Sequence, residues 1–197
     1  ETVYVIAFVL LYLGIKKQYE PLLLVPIAFG VLLANFPGGG MGVIQADENG
    51  MILVNGVMKN IWEMPLHDIA HELGLMNFVY YMLIKTGFLP PIIFMGVGAL
   101  TEKKYPSKTE IKNLRVLKII FPIVVTTVVA LFVPSAVPLI GMLMFGNLVK
   151  EIGANTFRLF DAASNSIMNA ATIFLGLSVG ATMTSEAFLN WTTIGIV

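Results

Sequence analysis

Few side chains in this sequence could bind or react with anything. His67 and His71 stand four apart, with Asp68 and Glu72 beside them. Two imidazoles at that spacing on a helix can share a metal, but the zinc-protease pattern needs Glu directly after the first His. Asp68 holds that place and no third ligand stands out, so the pair reads as polar residues of an amphipathic helix. Asn147, Asn165 and Asn169 lie at the edges of apolar runs. An amide carbonyl is a hard oxygen ligand suited to an alkali cation, and Gly146 beside Asn147 would let backbone carbonyls approach. The alternative is that these amides cap helices or bond to neighbouring ones. Gly38-Gly-Gly40 lacks the lysine and hydroxyl of a phosphate loop. Ser164 and Ser166 have no Ser/His/Asp context, and Met142, Met144 and Phe145 read as packing residues. No paired carboxylates stand inside the apolar runs, so no intramembrane proton relay is visible.

The elements that must position these groups belong to a membrane. Charged residues are 12% of the chain, about half the share of a typical soluble domain. The hydrophobic share is 57% and the mean hydropathy is +0.84, which in a soluble globule would leave large apolar areas facing water. The expected fold class is all-α, a polytopic membrane helix bundle. Net charge is zero, with 12 basic and 12 acidic residues, so no global field recruits nucleic acid. The absence of cysteine removes disulfides and thiolate chemistry. Glu1 is not an initiator methionine and residues 191–197 stop within an apolar run, so the chain reads as cut at both ends, without an intact signal peptide.

Residues 2–15 form an apolar run ending at Lys16-Lys17, and Pro21 opens a second, 21–36, broken by Pro26 and Gly30 and closed by Pro37. The pair predicts an antiparallel helical hairpin. Residues 41–74 are the least apolar part of the first hundred. Val43 to Ala46 and Met51 to Val54 predict two strands around the Asn49-Gly50 turn. Residues 57–73 predict an amphipathic element interrupted at Pro65, lying on the membrane surface or capping the bundle. Gly87 and Pro90-Pro91 divide the apolar run 76–100. Residues 101–118 carry six of the 12 basic side chains and form a cytoplasmic loop by the positive-inside rule. A spanning helix is expected over 116–133. The stretch 134–153 follows, with an apolar core of 138–149 that is too short to cross a bilayer, which takes about 20 residues. A polar link, 154–165, then leads to an apolar run, 167–183.

Pro91-Ile-Ile-Phe-Met-Gly-Val-Gly-Ala99 and Pro138-Leu-Ile-Gly-Met-Leu-Met-Phe-Gly-Asn147 share proline, Ile, Met, Phe and paired glycines. Interrupted apolar segments in corresponding positions of two halves point to a transporter's site; two unrelated glycine-rich helices are the alternative. On the first reading the bundle holds Pro/Gly-interrupted helices in two inverted repeats, incomplete here. The organisation is then an N-terminal membrane half, 1–100, with the insert at 41–74; a basic loop, 101–118; and part of a C-terminal half, 119–197. Asn147, Gly146, Gly141 and Gly98 are the transport-path candidates. No catalytic residue and no metal site are assigned.

Residues 11–30, Pro90 to Ala99, Phe121-Pro-Ile-Val124, Pro138 to Leu148 and Thr172-Ile-Phe-Leu-Gly-Leu-Ser-Val-Gly180 resemble the beta subunit of sodium-translocating, biotin-dependent decarboxylases. Asp47-Glu-Asn-Gly50 and residues 67–77 resemble most the glutaconyl-CoA decarboxylase branch. The resemblance implies a multi-pass subunit of the bacterial cytoplasmic membrane that decarboxylates carboxybiotin and couples this to sodium export. It also implies a biotin carrier subunit, a carboxyltransferase alpha subunit and a small membrane subunit as partners, in an assembly open to homo-oligomers. The sodium ion is the cargo, and the biotin is supplied by the carrier. The sequence departs from the family after Thr101, where several membrane segments and an aspartate-bearing glycine-rich loop are expected. The C-terminal segment with the family's sodium-site asparagine, serine and arginine is missing too, so no functional residue is carried over. The expected consequence is a chain inactive alone. A passive ion transporter or channel half, and a non-functional membrane fragment, are the rival readings.

Overall fold

A computed structural model describes residues 2–101, 114–153 and 156–185. Apart from one two-stranded hairpin, its regular elements are helices. They fall into two compact units, residues 1–86 with 172–197, and residues 87–171.

The first unit begins with α1 (Thr2–Ile15) and α2 (Pro21–Asn35). The expected break of α2 at Pro26 and Gly30 is corrected, because the helix runs through both. A proline in a helix removes one N–H donor, and the Pro26 ring is accommodated against Gly176, where a Cβ would collide with it. Asn35 pins the end of α2: its Nδ2 donates to the carbonyls of Val31 and Met183, and its Oδ1 accepts from the backbone N–H of Ser185.

The hairpin is shifted by one turn from its expected position. Strands β1 (Met51–Val54) and β2 (Val57–Asn60) are antiparallel, with Met51 opposite Asn60 and Val54 opposite Val57. Asn55 and Gly56 have φ of 51° and 82°, the two positive values that a two-residue type I′ turn demands. The earlier Asn49-Gly50 pair instead closes a loop in which Asp47 Oδ1 accepts from the N–H groups of Asn49 and Met51. Val43 to Ala46 form no strand; their backbone is held by Ala181, Asn77 and Tyr81. The amphipathic element expected over 57–73 is likewise corrected, since its first part is β2 and only residues 66–73 are helical (α3). Helix α4 (Leu75–Lys85) follows, with Asn77 bonded to Gly42 and Leu73 carbonyls and to the Ile44 N–H. The buried Ile52, Val54, Ile61, Ile69, Leu73, Tyr80 and Tyr81 form one apolar core. The hairpin, α3 and α4 close on it.

The second unit opens after Gly87, whose φ is 72°, so the expected division of the run 76–100 is observed. Its helices are α5 (Leu89–Leu100), α6 (Leu114–Phe132) and α7 (Val137–Ile152), the last preceded by a 3-10 turn, Pro134–Ala136. Together Pro134–Ile152 make 19 residues, long and apolar enough to cross a membrane. That corrects the expectation of a helix too short to span: Asn147, Lys150 and Glu151 continue the helix instead of ending it. The polar link is also corrected, because α8 runs from Phe157 to Thr182 without interruption and is the second helix of spanning length. Asp161 and Asn165, four apart, bond along its surface at 2.8 Å. Leu75–Lys85 with Leu89–Leu100 satisfy the same test as one broken span; Thr2–Ile15, Pro21–Asn35 and Val116–Phe132 are apolar but shorter. Residues 102–113 of the basic loop and the turn expected over 185–190 lie wholly or mostly outside the described residues.

Candidate functional site at a glycine crossing

The two runs whose similarity suggested a repeat are the two helices that touch most closely in the second unit. A Cβ on Gly98 would collide with the Leu143 carbonyl, and a Cβ on Gly146 with the Met95 carbonyl. The contact is reciprocal: on each helix the carbonyl three residues before the glycine meets the partner's glycine. Pro90 and Pro138 each stand eight residues before that glycine, so the proline starts and the crossing share one register. Small residues let helix backbones approach in this way, and membrane helices without a hydrophobic drive to associate depend on it.

The first unit repeats the device. A Cβ on Gly30 would meet the Leu177 carbonyl, and one on Gly180 the Ile27 carbonyl, again three residues back on each helix. Nothing in the sequence marked α2 and α8 as a second such pair.

Of the sequence candidates, Gly98 and Gly146 therefore sit at the crossing itself. Gly141 does not: its nearest neighbours are Thr126 Cγ2 at 3.7 Å and Val137 Cγ1 at 3.8 Å. It lines a cavity of about 270 Å³ with Pro122, Thr126, Met144, Phe145 and Leu148. Asn147 is 1% exposed. Neither its Nδ2 nor its Oδ1 has a hydrogen-bond partner among the described residues. Burying an amide without a partner costs about 1–3 kcal/mol by protein mutational data, and Ser178 Oγ, 0% exposed, is the other such buried group among the described residues. Asn165 by contrast is exposed and bonded to Asp161.

Two charged side chains that were not among the sequence candidates, Glu151 on α7 and Lys118 on α6, form an ion pair. Glu151 follows Asn147 by four residues, on the same side of α7. Its side chain is 11% exposed, and its Oε2 lies 3.4 Å from Nζ of Lys118 on α6, itself 30% exposed. Lys150 is engaged elsewhere, donating to the Thr101 carbonyl at 2.9 Å. The i, i+4 spacing of Asn147 and Glu151 was the signal available in the sequence.

The histidines fall outside any such site. His67 and His71 stack with ring centroids 5.8 Å apart, and the His67 side chain is 84% exposed. No group of three or more His, Asp or Glu that could hold a metal exists among the described residues.

The family model for the Na+-transporting oxaloacetate decarboxylase beta subunit matches residues 1–106 and 102–197. The chain belongs to this family. It is 32% identical to the methylmalonyl-CoA decarboxylase subunit beta of Propionigenium modestum, covering 98% of this chain and 71% of that one. It is also 32% identical to the glutaconyl-CoA decarboxylase subunit beta of Acidaminococcus fermentans, with 96% and 68% covered. Identity to the oxaloacetate decarboxylase beta chain 2 of Salmonella typhimurium is 26%, with 98% and 73% covered. The expected family is thus confirmed, and the glutaconyl-CoA and methylmalonyl-CoA relatives stand at equal identity. The Propionigenium alignment runs over 290 residues, whereas 98% of this chain is about 193. The alignment therefore holds about 97 positions with no counterpart in this chain, and the two pieces of the family match overlap at residues 102–106. The departure expected after Thr101 falls where these two pieces overlap.

Proposed function

We propose that this chain derives from the membrane subunit that decarboxylates carboxybiotin and couples the reaction to sodium export in the bacterial cytoplasmic membrane. The observation that carries the reading is the family match over both pieces of the chain. A biotin carrier, a carboxyltransferase alpha subunit and a small membrane subunit are the partners, and the carrier supplies the biotin. The transport path runs beside the α5–α7 crossing, with Gly98 and Gly146 setting helix contact, Gly141 opening space towards α6, and Asn147 offering its amide. No step is assigned to a biotin ring, because no described side chain singles out a place for one.

The basic run that includes Lys103, Lys104, Lys108, Lys112, Arg115 and Lys118 supports a cytoplasmic side for that loop by the positive-inside rule.

The family positions with no counterpart in this chain argue that it cannot complete the cycle alone. Proteoliposomes containing only this chain should neither decarboxylate free carboxybiotin in a sodium-dependent way nor accumulate 22Na+. Either activity at a rate above empty liposomes would overturn the proposal of incompleteness. Retention of a biotinylated carrier by the tagged chain supports the subunit reading, and its consistent absence from membranes that contain the carrier refutes it.

A further inference from the structure

At both glycine crossings, the position directly after each glycine is sealed. Ala99 and Ala181 are 0% exposed, and Val31 and Asn147 are 1% exposed. Three of these four positions carry apolar side chains that fill the space. The fourth carries a carboxamide whose nitrogen and oxygen both lack partners. The packing alone would be met better by Ala or Val, so the amide at this place serves something other than the packing.

One turn further along α7, Glu151 brings a carboxylate to the same side of the helix. A carboxylate offers about four acceptor sites, and the contact with Lys118 Nζ is 3.4 Å. That is long beside the 2.7–2.9 Å of a well-made charge-assisted bond. The ammonium is close enough to balance the charge. Lys118 reaches this point on a flexible four-carbon stem with its side chain 30% exposed, so water is within its range.

Resting on the reading of a sodium-coupled subunit, we propose that Asn147 Oδ1 and the Glu151 carboxylate form a binding site for a small monovalent cation, in which the Lys118 ammonium holds the place the ion takes. Entry of the ion releases Lys118 to solvent and leaves the net charge of the site unchanged. The donor set explains the valence. Calcium takes six to eight oxygens, usually from several carboxylates, whereas one carboxylate and one neutral amide suit an ion of single charge. The site lies at the end of α7 that carries Lys150.

The test uses the whole purified chain in nanodiscs and follows thermal unfolding in NaCl, with choline chloride keeping ionic strength constant. The wild type should show a midpoint that rises with sodium and saturates. Asn147→Leu and Glu151→Gln should each abolish the sodium dependence. Lys118→Met removes the competitor and should lower the half-effective sodium concentration about tenfold, equivalent to 1.4 kcal/mol. Should Asn147→Leu not fold, Asn147→Asp, which retains the oxygen and adds charge, must keep or strengthen the response. A wild type that responds equally to sodium and choline overturns the site, as does Asn147→Leu with an undiminished sodium response. A Lys118→Met variant needing more sodium than wild type overturns the role of Lys118. If the sodium response is missing while the biotinylated carrier still co-purifies, this site fails and the subunit reading stands.

Discussion

Alanine at Gly146 and alanine at Gly141 are the same chemical change on the same helix, and the structure assigns them opposite signs. At Gly146 the new Cβ falls inside the Met95 carbonyl and 2.9 Å from the Ala99 nitrogen. Both obstacles are backbone of α5, so neither moves aside by a rotamer change and the two helices must part. Overpacking of a tight core costs about 1–3 kcal/mol, occasionally more, and a clash with backbone belongs at the upper end. Replacing a helical glycine by alanine returns about 1 kcal/mol of propensity, leaving a net loss of about 2 kcal/mol. At Gly141 the nearest atoms are side-chain methyls at 3.7 and 3.8 Å, which is ordinary contact, so only the gain of about 1 kcal/mol remains. For a chain of this size 1 kcal/mol moves Tm by about 2–4 °C. Gly146→Ala should therefore unfold about 4–8 °C below wild type and Gly141→Ala about 2–4 °C above it. The assay is near-UV circular dichroism of the purified chain in detergent during heating. Shifts of the same sign and size in both variants would refute the reasoning, because they would show that the crossing does not discriminate the two positions.

Other perturbations follow from the same geometry. Gly98→Ala should match Gly146→Ala in sign and size, since the crossing is reciprocal, and a double variant should lose less than the two singly because the helices part only once; thermal unfolding of all three decides this. Asn77→Ala removes three hydrogen bonds, two donated and one accepted, and should cost about 2–3 kcal/mol while raising proteolysis within residues 40–46. Gly56→Ala forces a side chain to φ 82°, and should weaken the hairpin by about 1 kcal/mol, read as faster amide exchange at Met51 to Asn60. In sodium-free buffer Asn147→Leu should gain about 1–2 kcal/mol, because the unpartnered amide disappears; a loss of stability there would mean that Asn147 has a structural partner.

What the sequence settled by itself was whatever depends on composition and local periodicity. An apolar chain with so few charges has to bury its helices in lipid. The ends of α1, α2, α5 and α6 were marked by Lys16-Lys17, Pro21, Pro90-Pro91 and the basic run, since prolines and charges act within a turn or two of where they stand. The family was legible for the same reason, in runs such as Pro138 to Leu148. Boundaries that hang on competition between neighbours were not legible. Two Asn-Gly pairs offered turns, and only the pairing of β1 with β2 chose Asn55-Gly56. The residues after Gly146 looked like the end of a short helix, yet they continue it, because Lys118 and the Thr101 carbonyl receive Glu151 and Lys150. Least visible was the meaning of the glycines. Gly98, Gly141 and Gly146 are alike in a list, but contact between helices distant in sequence makes two of them points of backbone touch and leaves the third beside open space. The same contact seals Asn147 away from water and partners. Its chemistry follows from burial, which is a property of the packed chain and not of the residue.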